Sequence, residues 1–381
     1  MSPSTESKIA GFDLTGAILY HYDQFPPKSL NYSDFVNELV DATAAISRYD
    51  QMLKNLHNSE ILLAPFRKQE AVISSRIEGT VSTMDEILQY EADENDDAAN
   101  KYTRSDVIET FQYQKTMLSA KKALQEGYEI TPHFVRQMHK ELLSFGRGAH
   151  KSPGEFKKTQ NYLADKSAKR ISFIPISPER LAEGIDVLFH YLSNDRSPDL
   201  IKTALMHLEF EALHPFQDGN GRIGRMLITL YLWKSGVISE PHFYISSYFE
   251  DHKDTYIEKM REVSDNGQWE EWIKFFLVAI EKQAIANLVK AEQIRSLYEH
   301  LKSEFAELLS SKWSIQTLDF LFTNPIFRNS KFTNSLGIPH ASAALISRKL
   351  VEAGYIKEKQ AGSGRRATLY SFEPLLELVR V

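Results

Sequence analysis

His214-Pro-Phe-Gln-Asp-Gly-Asn-Gly-Arg-Ile-Gly-Arg225 is the stretch on which the reading of this chain turns. Upstream, Leu205, Leu208 and Ala212 repeat at helical spacing, which predicts a helix over Lys202 to Leu213. Pro215 cannot continue it, because the ring removes a backbone donor and clashes with the preceding turn. Asp218, Gly219, Asn220 and Gly221 form a loop, and a second helix begins near Arg222, with Ile223, Met226, Leu227 and Leu230 on one side. Two glycines flanking one asparagine let successive backbone N–H groups face a common point, a nest for anionic oxygens. The new helix adds its free N-terminal amides and the positive end of its dipole. Arg222 and Arg225 are three apart, share a helical face and can grip further phosphate oxygens in a bidentate manner. Asp218 is a hard oxygen ligand suited to Mg²⁺ shared with those phosphates. A polyphosphate is the natural occupant. His214, with an ordinary imidazole pKa of about 6.5, is poised beside it to take a proton near neutral pH.

The rest of the chain bounds what surrounds this loop. Its 381 residues suit two or three domains, and 42% apolar with 25% charged residues supports cores in a soluble protein. There are no cysteines, which excludes disulfides, thiolate metal sites and cysteine nucleophiles. The longest apolar run, Phe275 to Ile280, is far short of the roughly 20 residues of a membrane span, and the start MSPSTESKIAG has no signal-peptide core. A cytoplasmic protein with no membrane partner is expected. Leu39, Ala42, Ala45 and Ile46 again show helical spacing, and the acidic stretch Glu91 to Asn100 reads as a solvated linker. Around the polar turn Asp165 to Arg170, Asn161-Tyr162-Leu163 and Ile171 to Ile174 predict a hairpin on a helical body. The tail differs in charge: Lys312 to Val381 holds ten Lys/Arg and five Asp/Glu, whereas residues 1–311 hold 35 and 46. Three short helices (Thr317 to Phe322, Ser330 to Leu336, Ser342 to Ala353) and two strands (Tyr355 to Lys359, Thr368 to Phe372) are predicted there. That layout resembles a winged helix-turn-helix, which makes duplex DNA a candidate partner through Arg348, Lys349, Arg365 and Arg366.

The stretch from His214 to Arg225 resembles the signature of Fic domains, His-x-Phe-x-Asp/Glu-Gly-Asn-Gly-Arg-x-x-Arg, at every defined position. The resemblance implies a mostly α fold with an N-terminal helical region (1–100), a Fic-type core with a small β-hairpin flap (101–290) and a winged tail with its linker helix (291–381). It implies transfer of AMP from ATP, with Mg²⁺, to a Tyr, Thr or Ser hydroxyl of a target protein. His214 would deprotonate that hydroxyl, and Asp218 would hold the metal. Gly219, Asn220 and Gly221 would form the anion hole, Arg222 would bind the departing phosphates and Arg225 would reach the γ-phosphate. Ile223 and Gly224 count with these nucleotide-binding residues, and Tyr256 resembles an aromatic that encloses the adenine. Asn161, Tyr162, Phe173 and Ile174 would belong to a flap that docks the target by strand addition.

Ser74-Ser-Arg-Ile-Glu78-Gly79 resembles the family's inhibitory motif. Ser74 and Glu78 are four apart on a helical face, Gly79 reads as the stop, and a glutamate at a negative helix end goes against local preference. The resemblance implies that Glu78 takes Arg225 from the γ-phosphate. The implied partners are ATP and a target protein, with self-modification, a homodimer and DNA as further candidates. The alternatives are a nucleotide-sensing transcription regulator, and a Fic enzyme that removes AMP or transfers another phosphate group.

Overall fold

Almost every side chain of the helices Asp199–Leu213 and Asn220–Lys234 is buried, so neither helix has a face suited to water. The two pack against each other, and Gly224 sets how closely: a methyl group there would run into the Glu211 carboxylate and the His207 ring. The long helix Trp269–Leu309 adds Trp272, Phe276 and Ile280 to the same core, and the Trp272 indole donates to the Ala204 carbonyl at 2.8 Å.

The computed structural model describes residues 8–9, 12–56, 59–93, 103–165, 168–364 and 366–380. Among them are fifteen α-helices and eight short strands, a mostly helical fold. The chain divides into two compact units, residues 1–47 with 115–284, and residues 48–114 with 285–381. No helix among the described residues is long and apolar enough to cross a membrane.

In the first unit the expected hairpin is present, as the antiparallel strands Leu163–Asp165 and Arg170–Ile174. It is part of a larger sheet than the sequence suggests. Phe12–Asp13 and Ile18–Leu19 pair in parallel with Arg170–Ile174, and Lys8–Ile9 pairs with Phe12–Asp13. These two-residue strands carry no alternation pattern, and their partner is about 150 positions away, so no local signal marks them.

In the second unit, Ser59–Ile77 ends in a left-handed closure. Gly79 takes φ +86°, its amide bonds to the Arg76 carbonyl, and the Thr80 amide bonds to the Ser75 carbonyl. The helix Met84–Ala92 then starts from a full capping box between Thr83 and Glu86. The C-terminal part of this unit holds the helices Ser314–Thr323, Asn329–Leu336 and His340–Glu352 and the strands Ile356–Gln360 and Leu369–Phe372. A third strand, Ile326–Arg328, and a last helix, Glu373–Val379, were not anticipated.

The basic character of this part is turned inward. Arg328 bonds both carboxylate oxygens of Asp93 at 2.7 and 3.1 Å, and Arg366 adds a third contact at 2.9 Å. Arg380 bonds both oxygens of Asp85 at 2.9 and 3.1 Å, joined there by Lys359. Burial alone would raise the Asp85 pKa, but hydrogen bonds from Arg380 and Lys359 hold it below the usual carboxylate value. Lys349 caps the end of the long helix through the Leu308 carbonyl at 2.8 Å. Lys349 and Arg366, read from the sequence as candidate DNA contacts, each serve an acceptor of their own unit. Arg365 lies outside the described residues.

The stretch read as a solvated linker is corrected at its start. Glu91 ends a helix and pairs with Lys68 at 2.8 Å, while Asp93 is nine-tenths buried on Arg328; residues 94–100 lie outside the described residues. Replacing Asp93 by Ala leaves the buried Arg328 guanidinium without this acceptor. The expected cost is about 3–5 kcal/mol, read as a lower urea midpoint, against about 1 kcal/mol for an exposed pair such as Arg348–Glu352.

Candidate active site

The helix Asp199–Leu213 stops where His214 turns left-handed, with φ +45° and ψ +60°. This conformation is uncommon for a residue with a β-carbon, and here it reverses the chain toward the second core helix. The ring's Nδ1 lies 3.3 Å from the Glu211 carbonyl. A carbonyl only accepts, so Nδ1 is the donor in this contact.

Asn220 closes the loop that follows. Its Oδ1 accepts from the Phe216 amide and its Nδ2 donates to the Phe216 carbonyl, both at 2.8 Å. The second helix begins at Asn220, two residues earlier than expected, because these side-chain bonds fix the first turn. Gly219 stands before it at φ +78°, and no side chain caps the helix. The Gly219 amide bonds Asp218 Oδ1 at 2.7 Å, and the Ile223 amide bonds the Gly219 carbonyl at 3.1 Å. The amides of 220, 221 and 222 are the first-turn donors that a helix cannot satisfy within itself. Asp218 is half-exposed at the rim, 3.7 Å from Arg222, while Arg222 and Arg225 are both nearly fully buried.

Two buried groups support the loop from beneath. His139 stacks on Phe216 with ring centroids 3.7 Å apart. Its Nδ1 accepts from the Gly154 amide at 2.8 Å, so its Nε2–H donates to the Asp218 carbonyl at 2.9 Å. Burial pushes its pKa down to about 4, so the ring is neutral and held in one tautomer. Lys157 is buried beside the loop, and burial lowers its ammonium pKa to about 7.

The Fic/DOC family N-terminal model matches residues 36–125 and the Fic/DOC family model matches residues 129–232, together half of the chain. The chain belongs to the Fic/DOC family. A protein adenylyltransferase of Caenorhabditis elegans is 32% identical over 115 residues, covering 29% of this chain and 21% of the relative. One from Drosophila grimshawi is 31% identical over 120 residues, covering 30% and 22%. The chain thus spans about a fifth of the length of these relatives. A solved Fic family protein from Desulfovibrio desulfuricans G20 shares the fold, with a TM-score of 0.56 at 17% identity, covering 91% of this chain and 98% of that one.

Within this Fic fold, several expected site residues have other surroundings. Ile223 has its amide inside the helix and its side chain fully buried, so it offers a phosphate nothing. Gly224 lies past the first turn and serves the close packing of two helices. Tyr256, expected at an adenine, sits in the core at 4% exposure, stacked on Phe249, with its hydroxyl 2.8 Å from His207 Nε2. Phe173 and Ile174 belong to a strand paired on both edges, by Leu163–Asp165 and by Ile18–Leu19, so it has no edge for strand addition. Asn161 points at the loop after His214, donating to the carbonyls of His214 and Phe216 at 3.0 Å, and half-buried Tyr162 follows it. Ser74, fully buried, and Glu78 belong to the second unit, at the end of the helix closed by Gly79.

The sequence reading missed His139 and Lys157. A histidine in an amphipathic helix and a lysine in a loop give no local sign of long-range partners. Buried His207 provides a pH test of the core beside Arg225. Burial, then the charge of Arg225, lowers its pKa from 6.5 to about 3. The unfolded chain therefore binds the proton first, and stability is lost as pH falls below 6.5. Between pH 7 and 5 this one group should cost about 2 kcal/mol, and His207→Gln should remove that part of the loss in urea titrations at the two pH values.

Proposed function

We propose that this chain transfers AMP from ATP to a hydroxyl side chain of a target protein. The observation that carries the proposal is a histidine held in a left-handed turn, with its Nδ1 against the Glu211 carbonyl, just upstream of a helix N-terminus that no side chain caps. His214 Nε2 takes the proton of the target hydroxyl, whose oxygen attacks the α-phosphorus as the bond to pyrophosphate breaks. The amides of 220 to 222 and the helix dipole stabilise the phosphate charge, and Arg222 and Arg225 hold the remaining phosphates. Because those guanidinium groups are buried, their interaction with a phosphate is weakly screened.

The half-exposed Asp218 carboxylate suits Mg²⁺, which commonly uses one protein carboxylate together with substrate phosphates. Bound there, the metal would neutralise charge on the phosphates. Glu78 is proposed as an inhibitor within the same chain, on the strength of the motif from Ser74 to Gly79 and its helix-end position. The C-terminal helices and strands are proposed to form a winged helix-turn-helix. A DNA-sensing role for it is the weaker reading, because Lys349, Arg366, Arg328 and Arg380 already serve internal acceptors.

With ATP and Mg²⁺, Glu78→Gly should label itself or a partner with AMP more strongly than the unaltered chain, as a mass increase of one adenylyl group. His214→Ala should lower that rate by roughly 10²–10⁴-fold. Equal labelling by the unaltered chain and Glu78→Gly removes the inhibition proposal, and labelling that survives His214→Ala removes the catalytic one.

A further inference from the structure

We infer that Lys157, acting with Asn161, is a positioning residue that fixes His214 for proton transfer. The step it serves is the AMP transfer proposed above, so the inference rests on that reading. The last carbonyls of a helix have no partners within it, and a sharp reversal adds more. Here the carbonyls from Leu213 to Phe216 are all taken by one short segment. Leu213 accepts from Lys157 Nζ at 3.0 Å and Pro215 from the Lys157 amide at 2.8 Å. His214 and Phe216 both accept from Asn161 Nδ2 at 3.0 Å. Lys157 Nζ also donates to Asn161 Oδ1 at 2.8 Å, so the two side chains hold each other in place.

This arrangement is costly for packing alone. Lys157 is 4% exposed, and burying an amine is unfavourable unless its donors are used. A methionine would fill the same space without that cost. What the amine adds is a bond to the Leu213 carbonyl directly before His214 and one to Asn161 Oδ1, which holds the Asn161 amide on the carbonyls of His214 and Phe216. This supports a left-handed backbone that is otherwise disfavoured. Fixing the backbone at 213 to 216 fixes where the imidazole leaves the chain, and its Nδ1 contact with the Glu211 carbonyl sets the ring's rotation. Lys157 reaches the reacting atoms only through His214.

The test uses the full chain carrying Glu78→Gly, with radiolabelled ATP, Mg²⁺ and the chain itself as acceptor. Lys157→Met should lower turnover on the order of 10²-fold, the scale expected for a displaced catalytic group, while nucleotide affinity by calorimetry stays unchanged. Lys157→Arg, which restores donors for the Leu213 carbonyl and Asn161, should recover most of the turnover. In NMR spectra the His214 backbone and ring signals should move in Lys157→Met and return in Lys157→Arg. Unchanged turnover with unmoved His214 signals overturns the inference, and so does a joint fall in affinity and turnover that Arg does not rescue. If Glu78→Gly itself transfers no AMP, the proposed function fails, and the His214 signals alone decide the positioning role. If Lys157→Met does not fold, Asn161→Ser frees the carbonyls of His214 and Phe216 with the lysine in place. It must then move the same signals, or the inference fails.

Discussion

The site depends on one backbone constraint: two fully buried helices must be joined by a reversal that leaves a histidine at φ +45°. The two helices pack closely where Gly224 lies against the Glu211 and His207 side chains. The strain at the turn is met by local hydrogen bonds from Asn220, Asn161 and Lys157. A site built this way is organised before any ligand arrives, which is the condition under which fixed dipoles are most effective.

Burial sets the charge state of the groups around that turn. His139 and His207 are both held neutral by desolvation, each also facing a buried arginine, Arg222 and Arg225 respectively. A protonated ring beneath the loop would add positive charge, but it would also lose the acceptor that the Gly154 amide needs. Neutrality thus keeps the Phe216 stack and the Asp218 carbonyl contact intact, while the two arginines supply the positive charge.

How much of this was legible in the sequence follows from range. The motif loop, the helices on each side and the left-handed stop at Gly79 could be read because each depends on residues within a few positions of one another. The hairpin was visible for the same reason. The strands at 12–13 and 18–19 were not, since a parallel partner far along the chain leaves no pattern in two residues. The burial of Ile223 and Tyr256 and the helix contact at Gly224 could not be read, because proximity in the sequence or a family likeness says nothing of which way a side chain faces. The tail's positive charge was read as a surface property, whereas Asp85 and Asp93, more than 230 positions upstream of Arg328, turn it into internal pairing.

That pairing changes what the charge asymmetry means for the second unit. An uneven distribution along the sequence is a field only if the opposite charges remain apart in space. Here Asp93 takes two guanidinium groups and Asp85 takes a guanidinium and an ammonium, so four of the tail's basic groups share two upstream carboxylates within a few ångströms. The buried Arg328–Asp93 pair adds little net stability but strongly disfavours alternative arrangements, because any shift leaves a charge buried alone. The segment after Glu78, from the capped start of Met84–Ala92 to Asp93, is consequently held at both of its ends, at Asp85 by Arg380 and strand residue Lys359 and at Asp93 by strand residue Arg328.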